Sequence, residues 1–472
     1  MSTLSGRAPP SREKRLDTLS AYLGEARALL QEFDRGEPDQ RIRTFSQSTP
    51  DDLFVALQVL AGVRGAAIVI HGPRGCASSQ LGRLQATGQN GGGCWVVTNL
   101  SQRETILGAD GKLRDAITAL HRRHRPEAIF VVATPAVAIN NDDILSVVDQ
   151  LSDQLATPIV PVFASGFASK SAVQGYDLAL TSLVKEFLTE KPDHSAQHVN
   201  LLSLSESVED RREIERLLAA LAVEAHTFPS GAGIDAFRHA ATARLSVALN
   251  ADQAISLGDA LQSVAGVPFL SPPSPIGLAA IEHWLAAVGA AIGKEKDARE
   301  LHAREVADLS RLLETRPLRG ARVYLSLDPA TAFGIADLVQ DLGGEIAGIS
   351  VEHLDRLHLD SLRALIDRAP AAMIHVGHAQ GFEELNLVQR LGVDLYVGAS
   401  GHLAQVAHLG IACLFLPRVP VVGYKGVASF ARDAARAIRN RGFFETLSAR
   451  RPPYSAQWFQ RSAHWHIKQE VR

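Results

Sequence analysis

Short runs of apolar and β-branched residues alternate along the chain with stretches in which apolar side chains return every three or four positions. The runs at 128–133, 158–163, 199–204, 245–249, 323–327, 346–351, 373–376, 395–398 and 413–416 have the length and composition of buried strands. Helical patterns lie between them, including 278–292 and the charged 295–319. Such alternation predicts parallel sheets covered by helices, an α/β fold. Near the amino terminus, Leu16, Leu19, Tyr22, Leu23, Ala26, Leu29, Leu30 and Phe33 recur at helical spacing and predict one amphipathic helix over 16–33. Asp51 and Asp52 then stand as capping residues before a helix at 53–60. Residues 1–11 are polar and Pro-bearing, an expected mobile and dispensable arm.

One apolar run ends in residues suited to chemistry. Ile68-Val69-Ile70-His71 breaks at Gly72-Pro73 and continues Arg74-Gly75-Cys76-Ala77-Ser78-Ser79. This reads as a buried parallel strand that delivers His71, Arg74 and Cys76 into the turn after it. Loops at the carboxyl ends of parallel strands are where open α/β sheets place ligands, and a cysteine there is a candidate metal ligand.

Composition shifts divide the chain. The stretch 190–198 separates a first unit from a second, and the basic helix 295–319 leads into a third. The expected organisation is an N-terminal arm at 1–45, domains at 46–195, 196–318 and 319–450, and a C-terminal tail at 451–472. With 472 residues and 46% hydrophobic composition the chain can bury a large core. No window approaches the roughly 18 apolar residues of a spanning helix. A net charge of −3, from 48 basic and 51 acidic residues, gives no global field toward nucleic acid or membrane. The three cysteines, Cys76, Cys94 and Cys413, are too scattered for a disulfide framework, which fits a reducing cytoplasm. There is no CxxC, HExxH, GxSxG or strand-linked GxGxxG. Gly289 to Lys294 has the wrong spacing for a phosphate loop, so any ATP dependence belongs to a partner.

A set of motifs in shared order carries a resemblance. It comprises His71-Gly72-Pro73-Arg74-Gly75-Cys76, Thr98 with Glu104, Leu107-Gly108-Ala109-Asp110-Gly111-Lys112-Leu113, Asn141-Asp142-Asp143-Ile144, Pro158-Ile159-Val160-Pro161-Val162 and Gly166-Phe167. Gly423-Tyr424-Lys425-Gly426 and Phe430-Ala431-Arg432-Asp433 follow near the end. From about Arg43 to about Ile438 the chain resembles one subunit of the nitrogenase component 1 family. That resemblance implies three Rossmann-like parallel-sheet domains and paired α-type and β-type subunits. It also implies an iron-sulfur cluster held between them by first-domain cysteines, and a separate ATP-hydrolysing iron protein as electron donor.

The departures from the family pattern narrow the role. Of three first-domain cysteine positions only the middle one, Cys76, is kept; the first falls at Ser46 and the third at Pro135. The cofactor cysteine of catalytic subunits falls near Asn250 and the cofactor histidine on Val422. A one-cysteine subunit of this kind resembles the β-type partner of the cofactor-assembly scaffold, or β-type subunits of nitrogenase-like reductases. The implied assembly is an α2β2 heterotetramer without nucleic acid or membrane. A cluster would be shared with the α-type partner, and any larger iron-sulfur cofactor would sit on that partner.

Cluster chemistry agrees with this division. Iron needs soft thiolate ligands, commonly four for a four-iron cluster, so one cysteine requires a second chain. Gly72 and Gly75 would let backbone N–H groups approach the sulfurs, and Arg74 would add positive charge. Two roles stay open, electron relay in a reductase and cofactor maturation on a scaffold. Each residue also has a plain structural role to set beside the functional one. Free cysteine is usually a small buried hydrophobe, which suits Cys413 inside an apolar strand. Cys94, after Gly91-Gly92-Gly93, is expected on a flexible loop as an ordinary thiol or a replacement ligand. His71 is expected to hydrogen-bond the turn, and Glu104, Lys112, Asp142 and Asp143 to cap helices or form surface ion pairs. Arg432 and Asp433 are expected to pair across an interface. His375, His378, His402 and His408 lie near strand ends, with spacing that fits no particular metal site.

Overall fold

The computed structural model of the chain describes residues 9–36, 38–47, 49–86, 94–167, 169–188, 197–399, 402–448 and 455–469. It forms two compact units. The first comprises Met1–Arg12, Pro50–Ser205 and Val223–Ser271, and the second Glu13–Thr49, Glu206–Ala222 and Pro272–Arg472. In chain order, β1 (Tyr22–Glu25) and β2 (Arg41–Arg43) belong to the second unit.

The first unit contains two four-stranded parallel sheets. One is built from β3 (Ala66–His71), β4 (Cys94–Val97), β5 (Ala128–Ala133) and β6 (Ile159–Val162), in the order β4-β3-β5-β6. The other is built from β7 (Val199–Ser203), β8 (Ala225–Pro229), β9 (Leu245–Ala248) and β10 (Phe269–Leu270), in the order β10-β9-β7-β8. Every residue of β3 and β5 is buried, as expected of central parallel strands covered on both faces. A shared core joins the two sheets through the helices Asp52–Ala61, Gln174–Phe187 and Ala251–Ala265. The first two helices cross closely at Gly175, where a β-carbon would run into the Asp52 carbonyl and the Ala56 nitrogen.

The second unit is organised on β11 (Arg322–Leu327), β12 (Glu345–Val351), β13 (Met373–Val376), β14 (Leu395–Gly398) and β15 (Ala412–Phe415), all parallel. With β1 antiparallel at one edge, the sheet order is β1-β13-β12-β11-β14-β15. A last strand, β16 (Ile467–Gln469), pairs antiparallel with β2. Among the described residues no helix is long and apolar enough to cross a membrane.

Two local expectations are corrected. Residues 16–33 do not form one helix: Tyr22–Glu25 is extended, pairing Tyr22 with Val376 and Glu25 with Met373, and only Ala26–Asp34 is helical beyond it. The open backbone edge of β13 offers ladder hydrogen bonds that outweigh helical spacing over these four residues. Cys94 opens β4 beside Ala67 and is not on a loop; Gly91 to Gly93 lie outside the described residues. β8 and β10, too short or too mixed in pattern to anticipate, complete the second sheet. Most of the expected mobile arm at 1–11 lies outside the described residues. Arg12 at its end is fully buried, with its guanidinium on Asp252.

Candidate functional site

The carboxyl end of β3 is held by a dense polar arrangement. His71 is the last strand residue, not part of a turn, and its Nδ1 lies 3.1 Å from the Thr98 hydroxyl, which also accepts the Gly72 N–H at 2.9 Å. On the other side the Thr134 hydroxyl donates to the His71 carbonyl at 2.9 Å. His71 Nε2 is 3.3 Å from Asp142 Oδ2, a close approach without the alignment of a hydrogen bond. Burial lowers the His71 pKa, with Asp142 opposing. His71 is therefore a buried structural ring that fixes the strand end. Gly72 is obligatory, since Thr134 fills the space of any β-carbon there.

The helix Arg74–Ala86 begins directly after Pro73, which places Cys76 in its first turn and not in a loop. The Cys76 N–H donates to the Pro73 carbonyl at 3.2 Å, and the side chain is half-buried. Burial raises the Cys76 thiol, and the Asp51 carboxylate adds to that; the backbone N–H groups of Cys76 and Ala136 oppose by favouring the thiolate. Backbone N–H groups that favour a thiolate are what a metal-bound sulfur uses. Arg74, Gly75, Ser78, Ser79 and Gly82 form an exposed face on this helix. A β-carbon on Gly75 would meet nothing, so Gly75 is not demanded by the packing of this chain. One thiol beside an open face of small residues fits part of a cluster's ligand set.

The remaining candidate positions have surroundings of their own. Pro135 is the first residue of the helix Pro135–Asn140, where a missing N–H costs nothing. Cys94 pairs with Ala67 at the amino-terminal end of β3, whereas Cys76 lies beyond its carboxyl end. At about 3.3 Å per strand residue this separates the two sulfurs by well over 10 Å, so Cys94 is not a co-ligand of Cys76. Cys413 lies in β15, where burial pushes its thiol up to about 12. Ser46, in the second unit, is exposed; its hydroxyl accepts from Gln380 Nε2 at 3.1 Å.

Both positions matched to cofactor ligands serve helix starts. Asn250 caps Ala251–Ala265, accepting from the Asp252 N–H at 3.1 Å. Val422 precedes the helix Gly423–Arg439, and the start of that helix is occupied by carboxylates of this chain. Asp210 accepts the N–H groups of Val421 and Val422, both at 2.9 Å, and Glu213 lies within reach of Lys425 and packs against Gly423. A helix start that would otherwise attract an exogenous anion is thereby satisfied internally.

The remaining candidates take structural parts. Asp143 caps Ile144–Ser152, and Glu104 completes a capping box with Ser101 and lies 3.6 Å from Lys112. Arg432 lies 3.2 Å from its neighbour Asp433, and the Arg432 side chain is exposed. His375 is buried on Glu383, which also holds Arg43 and His466. Asp51 caps the helix Asp52–Ala61 as its local sequence suggests, whereas Thr134 and Glu383 had no local sequence signal, because their partners are distant in the chain.

In a comparison with known families, residues 52–439 match the nitrogenase component 1 type oxidoreductases. The chain belongs to this family. Among nitrogenase component 1 relatives, the iron-molybdenum cofactor biosynthesis protein NifE of Nostoc sp. is 26% identical, over 81% of this chain and 82% of its own length. The nitrogenase molybdenum-iron protein alpha chain of Methanothermobacter marburgensis is 22% identical over 81% and 85%. The nitrogenase iron-iron protein beta chain of Rhodobacter capsulatus is 24% identical over 80% and 90%. The solved structure of nitrogenase Cp1 at pH 6.5 superposes with a TM-score of 0.74 at 17% identity, covering 85% of this chain and 95% of that one. This likeness carries the nitrogenase component 1 fold. Similarity to an alpha chain and a beta chain at nearly equal identity does not choose between subunit types.

Proposed function

We propose that this chain is a β-type subunit of a nitrogenase-like two-component reductase, in which Cys76 supplies a thiolate to an iron-sulfur cluster completed by a homologous α-type partner. The observation that carries this reading is the single sulfur. Cys76 stands beside the exposed Gly75, Ser78, Ser79 and Gly82, with the Ala136 N–H favouring its thiolate, and the family resemblance puts Ser46 and Pro135 at the positions of the other two thiols. When bound, the cluster would supply one-electron redox chemistry. The chain's own contribution is to hold the sulfur: β3 fixes the turn, Gly72 admits Thr134, and Gly75 leaves room for the neighbouring group. In this reading the three parallel sheets mark three Rossmann-like domains. The complex is a cytoplasmic α2β2 heterotetramer, and an ATP-hydrolysing iron protein delivers electrons that pass to a site on the α-type subunit.

A second reading is supported by the similarity to NifE proteins, whose name assigns them to cofactor biosynthesis. In it the chain is the β-type half of a scaffold on which an iron-sulfur cofactor matures. Asn250 and the carboxylate-filled start of Gly423–Arg439 argue that any precursor would be held by the partner.

Anaerobic co-purification with the partner subunit, followed by iron and sulfide quantitation and EPR of wild type and Cys76→Ser, tests the shared site. Loss or conversion of the cluster signal is the expected result; an unchanged signal removes Cys76 from the site. Turnover assays with iron protein and ATP then separate reductase from scaffold.

A further inference from the structure

We propose that the open edge of β15 and the arginine-lined groove beside it form a docking site for an extended acidic segment of a partner polypeptide. The site is independent of Cys76 and of the function proposed above.

A groove of about 750 Å³ runs along Cys413 to Phe415 of β15, where the helix Gly423–Arg439 ends and the helix Arg441–Ser448 begins. Phe415, Phe443 and Phe444 give it apolar walls; Arg418, Arg436 and Arg439 with one carboxylate, Asp433, give it a net positive charge. β15 is the last strand of its sheet, so one row of its backbone groups has no ladder partner among the described residues. Edge strands are normally protected by lysine, proline or a bulge, yet Ala412-Cys413-Leu414-Phe415 has neither charge nor proline. Such an edge is a template for strand addition, in which main-chain hydrogen bonds supply affinity and flanking side chains supply specificity.

The charge around the edge selects the occupant. Arg418 and Arg439 are exposed and have no ion-pair partner among the described residues, and Arg436 shares Asp433 with Arg432. The carboxyl end of a helix attracts cations, which accounts for Arg436 and Arg439. It does not account for Arg418, whose guanidinium lies 5.8 Å from the Phe415 ring centre, nor for Phe443 at 64% exposure. An extended chain with carboxylates toward the arginines and apolar side chains toward the phenyl rings satisfies all three features.

The test uses the full chain and a fluorescein-labelled hexapeptide alternating valine and glutamate, followed by fluorescence anisotropy at low salt. Saturable binding is expected, weakened at least about tenfold in the Arg418→Glu, Arg439→Glu double variant, with circular dichroism confirming that the variant is folded. Phe443→Ser should weaken it independently, and backbone N-methylation of the peptide should abolish it. The proposal is overturned by absence of saturable binding, or by equal binding of the valine-lysine counterpart. It is also overturned by undiminished binding of the N-methylated peptide or to the charge-reversed variant. Complete displacement by decanoate would make the groove a small-molecule site. A wild-type dimer that the double variant dissociates would give the groove to a second copy of this chain. Either result also rejects the partner segment.

Discussion

The Thr134 hydroxyl occupies the space that a β-carbon at residue 72 would need, and from there it donates to the His71 carbonyl at 2.9 Å. Gly72 therefore connects the end of β3 to the start of Pro135–Asn140. Gly72→Ala must displace Thr134, and overpacking of this kind costs about 1–3 kcal/mol. Urea unfolding should show that loss, and cluster content should fall with it, since displacing Thr134 disturbs the end of β3 that leads into the Cys76 helix.

Cys94→Ser should behave differently from Cys76→Ser. The strand register places Cys94 at the far end of β3, so iron and sulfide content of the co-purified complex should be unchanged. Iron loss in Cys94→Ser comparable to that in Cys76→Ser would contradict this register.

Glu383 lies between Arg43 at 2.7 Å, His375 at 2.5 Å and His466 at 2.6 Å. Burial alone would raise it, but His375 and Arg43 outweigh that and hold it at about 2. A depressed carboxyl contributes stability that is present above its unfolded value near 4.5 and is lost as pH falls toward 2. Glu383→Gln should reduce this acid dependence. It should also cost about 3–5 kcal/mol at neutral pH, because Arg43 is left buried without its partner. Denaturant titrations at pH 3, 4.5 and 7 measure both effects.

Asp52 has the opposite sign. Burial pushes it up to about 6, against the Gly166 N–H that donates to it at 2.5 Å. The native state holds this proton more tightly than the unfolded chain, so the Asp52 contribution declines as pH rises from about 4 to 6. Relative to wild type, Asp52→Asn should gain stability across that interval, by on the order of 2–3 kcal/mol. A constant difference between the two proteins from pH 4 to 7 would rule out this assignment.

Asp210 accepts two N–H groups at the start of Gly423–Arg439. Asp210→Ala leaves both buried donors unpaired and should cost about 2 kcal/mol or more. Asp210→Asn, which keeps an acceptor oxygen, should recover part of that loss in the same unfolding assay.

Much of the architecture was legible because it rests on local pattern. The boundaries of Leu278–Ile292 and Ala128–Ala133 coincide with their apolar periods, and the β3 turn is visible in Gly72-Pro73. The error at 16–33 has a definite cause. Tyr22 and Leu23 satisfy a helical spacing as well as they satisfy an edge strand, and the choice belongs to β13, some 350 residues later.

By itself, then, the sequence determined the α/β alternation, the resemblance to the nitrogenase component 1 family and the scatter of its three cysteines, Cys76, Cys94 and Cys413. These are properties of residue type and local spacing. Only the tertiary structure decided that Cys94 is remote from Cys76, that the Ala136 N–H and Asp51 act on its sulfur in opposite directions, and that Asp210 and Glu213 occupy the start of Gly423–Arg439. Each of these depends on which strand lies beside which and in what register. Pairing energies between segments far apart in the chain set that register, and no local pattern records them.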